Sequence, residues 1–140
     1  MVQSSKILLA EDDDNDVFLM RAALERAEIV ADLVVARDGQ EAVEYLNGGN
    51  GNGKNSSKLC LMLLDLKMPR MDGFDVLTWI HNHPELSNLP VVVLSSSSQE
   101  ADMSKARALG ARDYQVKPAD FHDLVRLVKD LHDRWLVQVA

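Results

Sequence analysis

Leu59-Cys60-Leu61-Met62-Leu63-Leu64-Asp65-Leu66-Lys67-Met68-Pro69-Arg70-Met71-Asp72-Gly73 is the stretch that decides the fold. An apolar run without alternation describes a strand covered on both faces, as in parallel sheets. The strand ends at Asp65, and an ionised side chain closing such a run needs a partner. Two other short runs also end in charge: Lys6-Ile7-Leu8-Leu9-Ala10 leads into Glu11-Asp12, and Tyr114-Gln115-Val116 into Lys117-Pro118. If all three are parallel strands of one sheet, their carboxyl ends lie side by side, where open α/β sheets place ligand sites. Three carboxylates and one ammonium then share a pocket. Clustered carboxylates with a neighbouring carbonyl suit hard Mg²⁺, and the implied chemistry is phosphoryl transfer at a metal site.

Working outward, strand and helix patterns alternate. Val17, Met20, Leu24 and Ala27 fall at helical spacing within Asp16 to Ala27. A second strand is expected at Leu33 to Ala36, then the turn Asp38-Gly39 into a short helix from Gln40 to Leu46. Residues 48–58 are expected to form a flexible loop. A helix around Phe74 to Asn82 stops before Pro84. Val91 to Leu94 makes the fourth strand, Ser98 to Leu109 a polar helix closed by Gly110, and Asp120 caps a last helix reaching about Trp135. Five βα units predict a parallel sheet covered on both faces, in one domain over residues 1–140.

Composition agrees with a small globular domain. The chain has 140 residues, with 46% hydrophobic and 26% charged side chains. A net charge of −7 and no Lys/Arg cluster argue against nucleic-acid binding. No apolar run approaches the roughly 18 residues of a membrane span, and only Met1 to Ser5 precede the first strand, so a cytoplasmic location is expected. The single cysteine, Cys60, lies mid-strand, where it reads as a small buried hydrophobe.

Glu11-Asp12, Asp65 followed by Lys67-Met68-Pro69-Arg70-Met71-Asp72-Gly73, Ser95 after a Val-rich strand, and Lys117-Pro118 together resemble the receiver domain of two-component response regulators. The similarity covers nearly the whole chain. It implies a flavodoxin-like fold with strand order 2-1-3-4-5 and an aspartate that takes a phosphoryl group from a sensor histidine kinase. Carried over residue by residue, Asp65 is the phosphoacceptor, Asp12 binds Mg²⁺ directly, Glu11 holds a metal-bound water and the backbone carbonyl of Lys67 supplies a further oxygen. Lys117 contacts the phosphoryl oxygens, aimed inward by a cis peptide before Pro118. Ser95 and Tyr114 form the switch pair, although Tyr114 alone also reads as a plain core aromatic. The 48–58 insert and the Trp135-Leu136 tail resemble single-domain regulators found with phytochromes, which would make a phytochrome-type kinase the donor.

Two positions depart from common receiver patterns. Lys67 stands where many members carry Asn, and Ser95-Ser96-Ser97-Ser98 replaces a more usual Thr-Ala. A rival class, the haloacid-dehalogenase-type phosphatase, needs a second aspartate two residues after its nucleophile, and Lys67 occupies that place. The expectation is therefore a signalling module that catalyses only its own phosphorylation and dephosphorylation. Gly48, Gly53 and Lys54 match P-loop spacing, but Asn55 replaces the metal-binding Ser/Thr and the loop opens a strand instead of a helix. His81, His83, His122 and His132 show no metal-ligand spacing.

On the last helix, Leu124, Leu127, Val128, Leu131 and Trp135 form one stripe suited to covering the sheet. Phe121, Val125, Leu136, Val137 and Val139 are left over. With the tail at 135–140 and the fifth strand they predict an exposed apolar surface for a homodimer or another partner.

Overall fold

In the computed structural model, which describes residues 5–48 and 59–136, the apolar runs become β1 (Ser5–Ala10), β2 (Ala31–Ala36), β3 (Leu59–Leu64), β4 (Val91–Ser95) and β5 (Asp113–Val116). All pairings are parallel, in the order β2-β1-β3-β4-β5. The helices are α1 (Asp14–Arg26), α2 (Gly39–Leu46), α3 (Gly73–His81), α4 (Glu100–Ala108) and α5 (Phe121–Leu131). The expected loop, beyond Gly48, and the tail residues 137–140 lie outside the described residues.

Alternation along the strands divides the core in two. Leu8, Ala10, Met62, Leu64 and Val93 point to the face covered by α2, α3 and α4, while Ile7, Leu9, Leu61, Leu63 and Val92 point to α1 and α5. No residue of β4 is left at the surface, as the apolar run Val91 to Leu94 requires, and Ser95 is buried with it.

Register brings the functional ends level. Ala10 pairs with both Ala36 and Leu64, Leu64 with Val93, and Ser95 with Val116. The next backbone groups continue the ladder: Glu11 N–H donates to Ala36 O at 2.9 Å, Asp65 N–H to Ala10 O at 3.0 Å and Lys117 N–H to Ser95 O at 2.8 Å. Glu11, Asp65 and Lys117 are thus held by sheet hydrogen bonds, which fix them more tightly than free loop backbone would.

Helix starts follow their caps. Asp13 caps α1, accepting from the N–H groups of Asn15 and Asp16, so the helix begins earlier than the apolar spacing suggests. Asp72 and Asp75 form a reciprocal capping box on α3. Asp38 caps α2 through Glu41 N–H at 2.8 Å and also receives the Arg70 Nε–H at 2.8 Å, tying α2 to the β3–α3 loop. Arg70 takes a left-handed backbone, φ 64°, a conformation the Asp38 pair helps to hold.

The chain end departs from expectation. After α5 the helix widens into a π-turn, His132–Leu136, which packs against β3. Widening rotates the following residues relative to a regular helix, so Leu136 is buried and Trp135 half-buried against the α1/α5 core. Val125 is buried there as well. The apolar surface expected from Phe121, Val125 and Leu136 therefore shrinks to Phe121 at 38% exposure, and on β5 Val116 is 39% exposed. Val137 and Val139 lie outside the described residues.

Candidate functional site

Glu11, Asp12 and Asp65 converge at the carboxyl edge of β1 and β3, each offering an oxygen within 4.8 Å of the others. Glu11 and Asp65 are almost wholly buried, at 3% and 6% exposure, while Asp12 is open to solvent. An all-oxygen set that is partly buried and open on one side matches what a hard divalent cation uses when it keeps waters for a substrate. Asp12 and the exposed Lys67 line one open groove leading to the cluster.

Lys117 is the cluster's own cation. Its Nζ lies 2.7 Å from Glu11 Oε1, 2.9 Å from Asp16 Oδ2 and 3.1 Å from Asp65 Oδ2. Burial works against charge on Lys117, yet the hydrogen bonds to Glu11 and Asp16 and the charges of Asp65 and Glu11 outweigh it and hold the ammonium above its usual range. Glu11 feels the opposite balance. Burial, with the Asp65 charge added, pushes its carboxyl up to about 7 despite the bond from Lys117. Glu11 Oε2 also accepts the Asp13 N–H at 3.2 Å, so one carboxylate braces both the lysine and the start of α1.

The peptide before Pro118 is not cis as expected, since the described residues contain no cis bond. Lys117 is aimed by its backbone bond to Ser95 and by its three carboxylate partners instead.

Ser95 is fully buried at the end of β4, and its Oγ accepts the Ser97 N–H at 3.2 Å. Tyr114 is buried at 6% exposure and donates its hydroxyl hydrogen to the Ser97 carbonyl at 2.8 Å. Ser97 Oγ in turn donates to Asp102 of α4 at 2.6 Å. Backbone and side chain of Ser97 thus connect Ser95, Tyr114 and α4.

Sequence reasoning missed Asp16 and Ser97. Asp16 follows the acidic run Asp12-Asp13-Asp14 after Asn15, and its place three residues after the cap Asp13, in the first turn of α1, was the available signal. Ser97 is one of four consecutive serines, with nothing local to single it out.

Residues 7–129 match the response regulator receiver domain. The chain belongs to that family. Among its relatives, Rcp1 of Synechocystis is 36% identical over 134 residues, covering 96% of this chain and 90% of Rcp1. A probable methanogenesis regulatory protein of Methanothrix harundinacea, FilR2, is 35% identical over 130 residues, covering 93% of this chain and 83% of the relative. The crystal structure of the phosphorylated cyanobacterial phytochrome response regulator RcpA superposes with a TM-score of 0.86 at 37% identity, covering 99% of this receiver and 98% of RcpA. The Mn²⁺-bound form of Rcp1 gives 0.82 at 35% identity, with 97% of each chain covered. Among the described residues no helix is long and apolar enough to cross a membrane.

Proposed function

We propose that this receiver, a single domain over residues 1–140, accepts a phosphoryl group on Asp65 from a sensor histidine kinase and signals through a changed binding surface. The observation that carries this reading is the contact of Lys117 Nζ with Asp65 Oδ2 inside the Glu11, Asp12 and Asp65 cluster. A carboxylate oxygen of Asp65 attacks phosphorus, the bond from phosphorus to the donor's nitrogen or oxygen breaks, and its electron pair leaves with the donor. The product is a mixed carboxylic-phosphoric anhydride. Lys117, already hydrogen-bonded to Asp65, turns its N–H groups to the phosphoryl oxygens and stabilises the charge there. Mg²⁺, when bound by Glu11 through water, by Asp12 and Asp65, and by the Lys67 carbonyl, supplies charge neutralisation at the transferring group. The protein turns over no separate substrate in this reading.

Ser95 and Tyr114 are the proposed switch pair. If Ser95 Oγ turns to the phosphoryl group it leaves the Ser97 N–H, and Ser97 carries the bonds to Tyr114 and Asp102. Of the nine residues of α4 only Ala106 is buried, and its cap residue, Gln99, makes no side-chain bond, so a small change at Ser97 can move this helix. Likeness to phytochrome response regulators supports a phytochrome-type kinase as donor. Val116 and Phe121 support a protein-binding face at β5 and α5, for a homodimer or another partner. Nucleic-acid contact and a membrane role are not part of the proposal, and the cytoplasm is the proposed location.

Intact mass after treatment with acetyl phosphate and Mg²⁺ tests the assignment: a gain of roughly 80 Da is expected for the wild type and none for Asp65→Asn. Equal labelling of the variant, or full labelling in excess chelator, refutes it.

A further inference from the structure

Asp16 lies outside the group of carboxylates that converge for a metal, yet it bonds the same ammonium that meets Asp65. Its availability has a structural cause. Asp16 is the third residue of α1 after the cap Asp13, the position from which an acidic side chain ordinarily reaches back to the cap's N–H. On α3 Asp75 does this, donor and acceptor being reciprocal with Asp72. On α1 the corresponding N–H, that of Asp13, is taken by Glu11 Oε2 at 3.2 Å, and Asp16 is released to reach Lys117 at 2.9 Å.

An ammonium has three hydrogens, and here three carboxylates meet them. In the proposed function two of the three take other duties, Asp65 as the anhydride and Glu11 through a metal-bound water. Only Asp16 is a constant partner. Behind the lysine lies a small cavity of about 40 Å³ whose apolar walls include Leu9, Met20, Leu94 and Leu124, so a lysine without its Asp16 tether has room to fall back from Asp65.

We propose that Asp16 is a positioning residue for phosphoryl transfer, holding the Lys117 ammonium in line with Asp65 and its phosphoryl group. This rests on Asp65 being the phosphoacceptor. Asp16 also adds a negative charge that disfavours the phosphorylated form, so the two effects are separated by two variants. Asp16→Asn removes the charge and keeps an oxygen acceptor at the same reach. Asp16→Ala removes both.

The test compares the wild type, Asp16→Ala, Asp16→Asn, Lys117→Ala and the double variant Asp16→Ala with Lys117→Ala. Rates of labelling by acetyl phosphate are read by intact mass, and beryllofluoride bound with Mg²⁺, a phosphoryl analogue, is read by ¹⁹F NMR. Asp16→Ala should slow labelling by about tenfold, below the roughly hundredfold that follows a full ångström of misplacement, and should move the fluorine resonance nearest the ammonium. Asp16→Asn should label at least as fast as the wild type. With Lys117 already removed, Asp16→Ala should cause no further slowing, as coupling through that one contact requires. Wild-type labelling and an unchanged spectrum in Asp16→Ala overturn the proposal, as does equal slowing with and without Lys117. Failure of the underlying reading looks different: the wild type itself then takes no label and binds no beryllofluoride.

Discussion

Replacing Gly73 by alanine tests whether the start of α3 sets the position of Asp65, the proposed phosphoacceptor. A Cβ built at Gly73 lies 2.5 Å from the Asp65 carbonyl oxygen and 2.7 Å from Leu66 Cα, both of them backbone atoms. Ordinary carbon contacts need about 3.5 Å, so helix and strand end must separate by roughly 1 Å. They cannot do so freely, because Gly73 N–H donates to Leu66 O at 2.9 Å. Alanine should favour the helix over glycine by about 0.5–1 kcal/mol. Overpacking costs about 1–3 kcal/mol, and weakening the buried hydrogen bond adds about 1 kcal/mol, so the net effect is a loss of about 1–3 kcal/mol. The functional effect should be larger in proportion, since displacing a reacting carboxylate by about 1 Å can slow transfer by about a hundredfold. Urea unfolding gives the first quantity and acetyl phosphate labelling of the folded variant the second. Gly110→Ala is the control: at φ 108° with nothing within 4 Å of the added carbon, it strains the backbone far from the acid cluster and should lose stability while labelling normally. Gly73→Ala labelling at the wild-type rate, or both variants losing rate equally, would refute the claim that α3 seats Asp65.

Other expectations concern pH and the α2 cap. With Glu11 pushed up to about 7, apparent Mg²⁺ affinity should fall about tenfold per pH unit below 7 and level off about one unit above it, because a metal-binding carboxylate must first lose its proton. Calorimetric titration at pH 6 and 8 measures this, and Glu11→Gln should flatten the dependence. In the metal-free protein the stability linked to Glu11 is fully present below its ordinary 4.5 and is lost as pH rises through 7, up to about 3 kcal/mol at about 1.36 kcal/mol per unit. Thermal melts without metal should therefore be higher at pH 5 than the other groups alone would give, and Mg²⁺ should stabilise most at pH 8. For Asp38→Ala, a loss of about 1–2 kcal/mol is expected from the α2 cap, with little added by the mostly exposed Arg70. Burial alone would raise the Asp38 pKa, but the Glu41 N–H and Arg70 hold it below 3.8, so the difference between variant and wild type in urea unfolding should persist to pH 4 and close only in stronger acid.

Four strands were legible as short apolar runs, β5 by its place before Lys117-Pro118, and the helices by apolar spacing and, at α5, by the cap Asp120. Strand order was not readable from the residues alone; it came through family resemblance, and pairing confirms it. The end of α5 was misjudged for a specific reason. A stripe counted at 3.6 residues per turn leaves Leu136 outside, and the π-turn that buries it follows from packing against β3, a contact distant in sequence. Val125 was assigned to the surface by the same narrow stripe, whereas both α1 and the sheet flank α5 and bury a wider face.

At the site the sequence announces which charges are present but not how they are shared. A lysine after β5 and acids after β1 and β3 predict an ion pair, and any of Asp12, Asp13, Asp14 or Asp16 could have joined it on charge alone. Geometry decides by competition for donors. Asp13 is consumed by the α1 cap, Asp14 pairs outward with Arg37, and Asp12 faces the open groove. Glu11 then satisfies the Asp13 N–H, which leaves Asp16 as the acid on α1 free to meet Lys117. The division of labour among adjacent carboxylates is therefore fixed by backbone N–H groups that every sequence possesses and none displays. Changing the cap should redistribute the charges: Asp13→Ala removes the side-chain acceptor of the Asn15 and Asp16 N–H groups, frays the first turn of α1, and should reproduce part of the Asp16→Ala effect on labelling without touching Lys117.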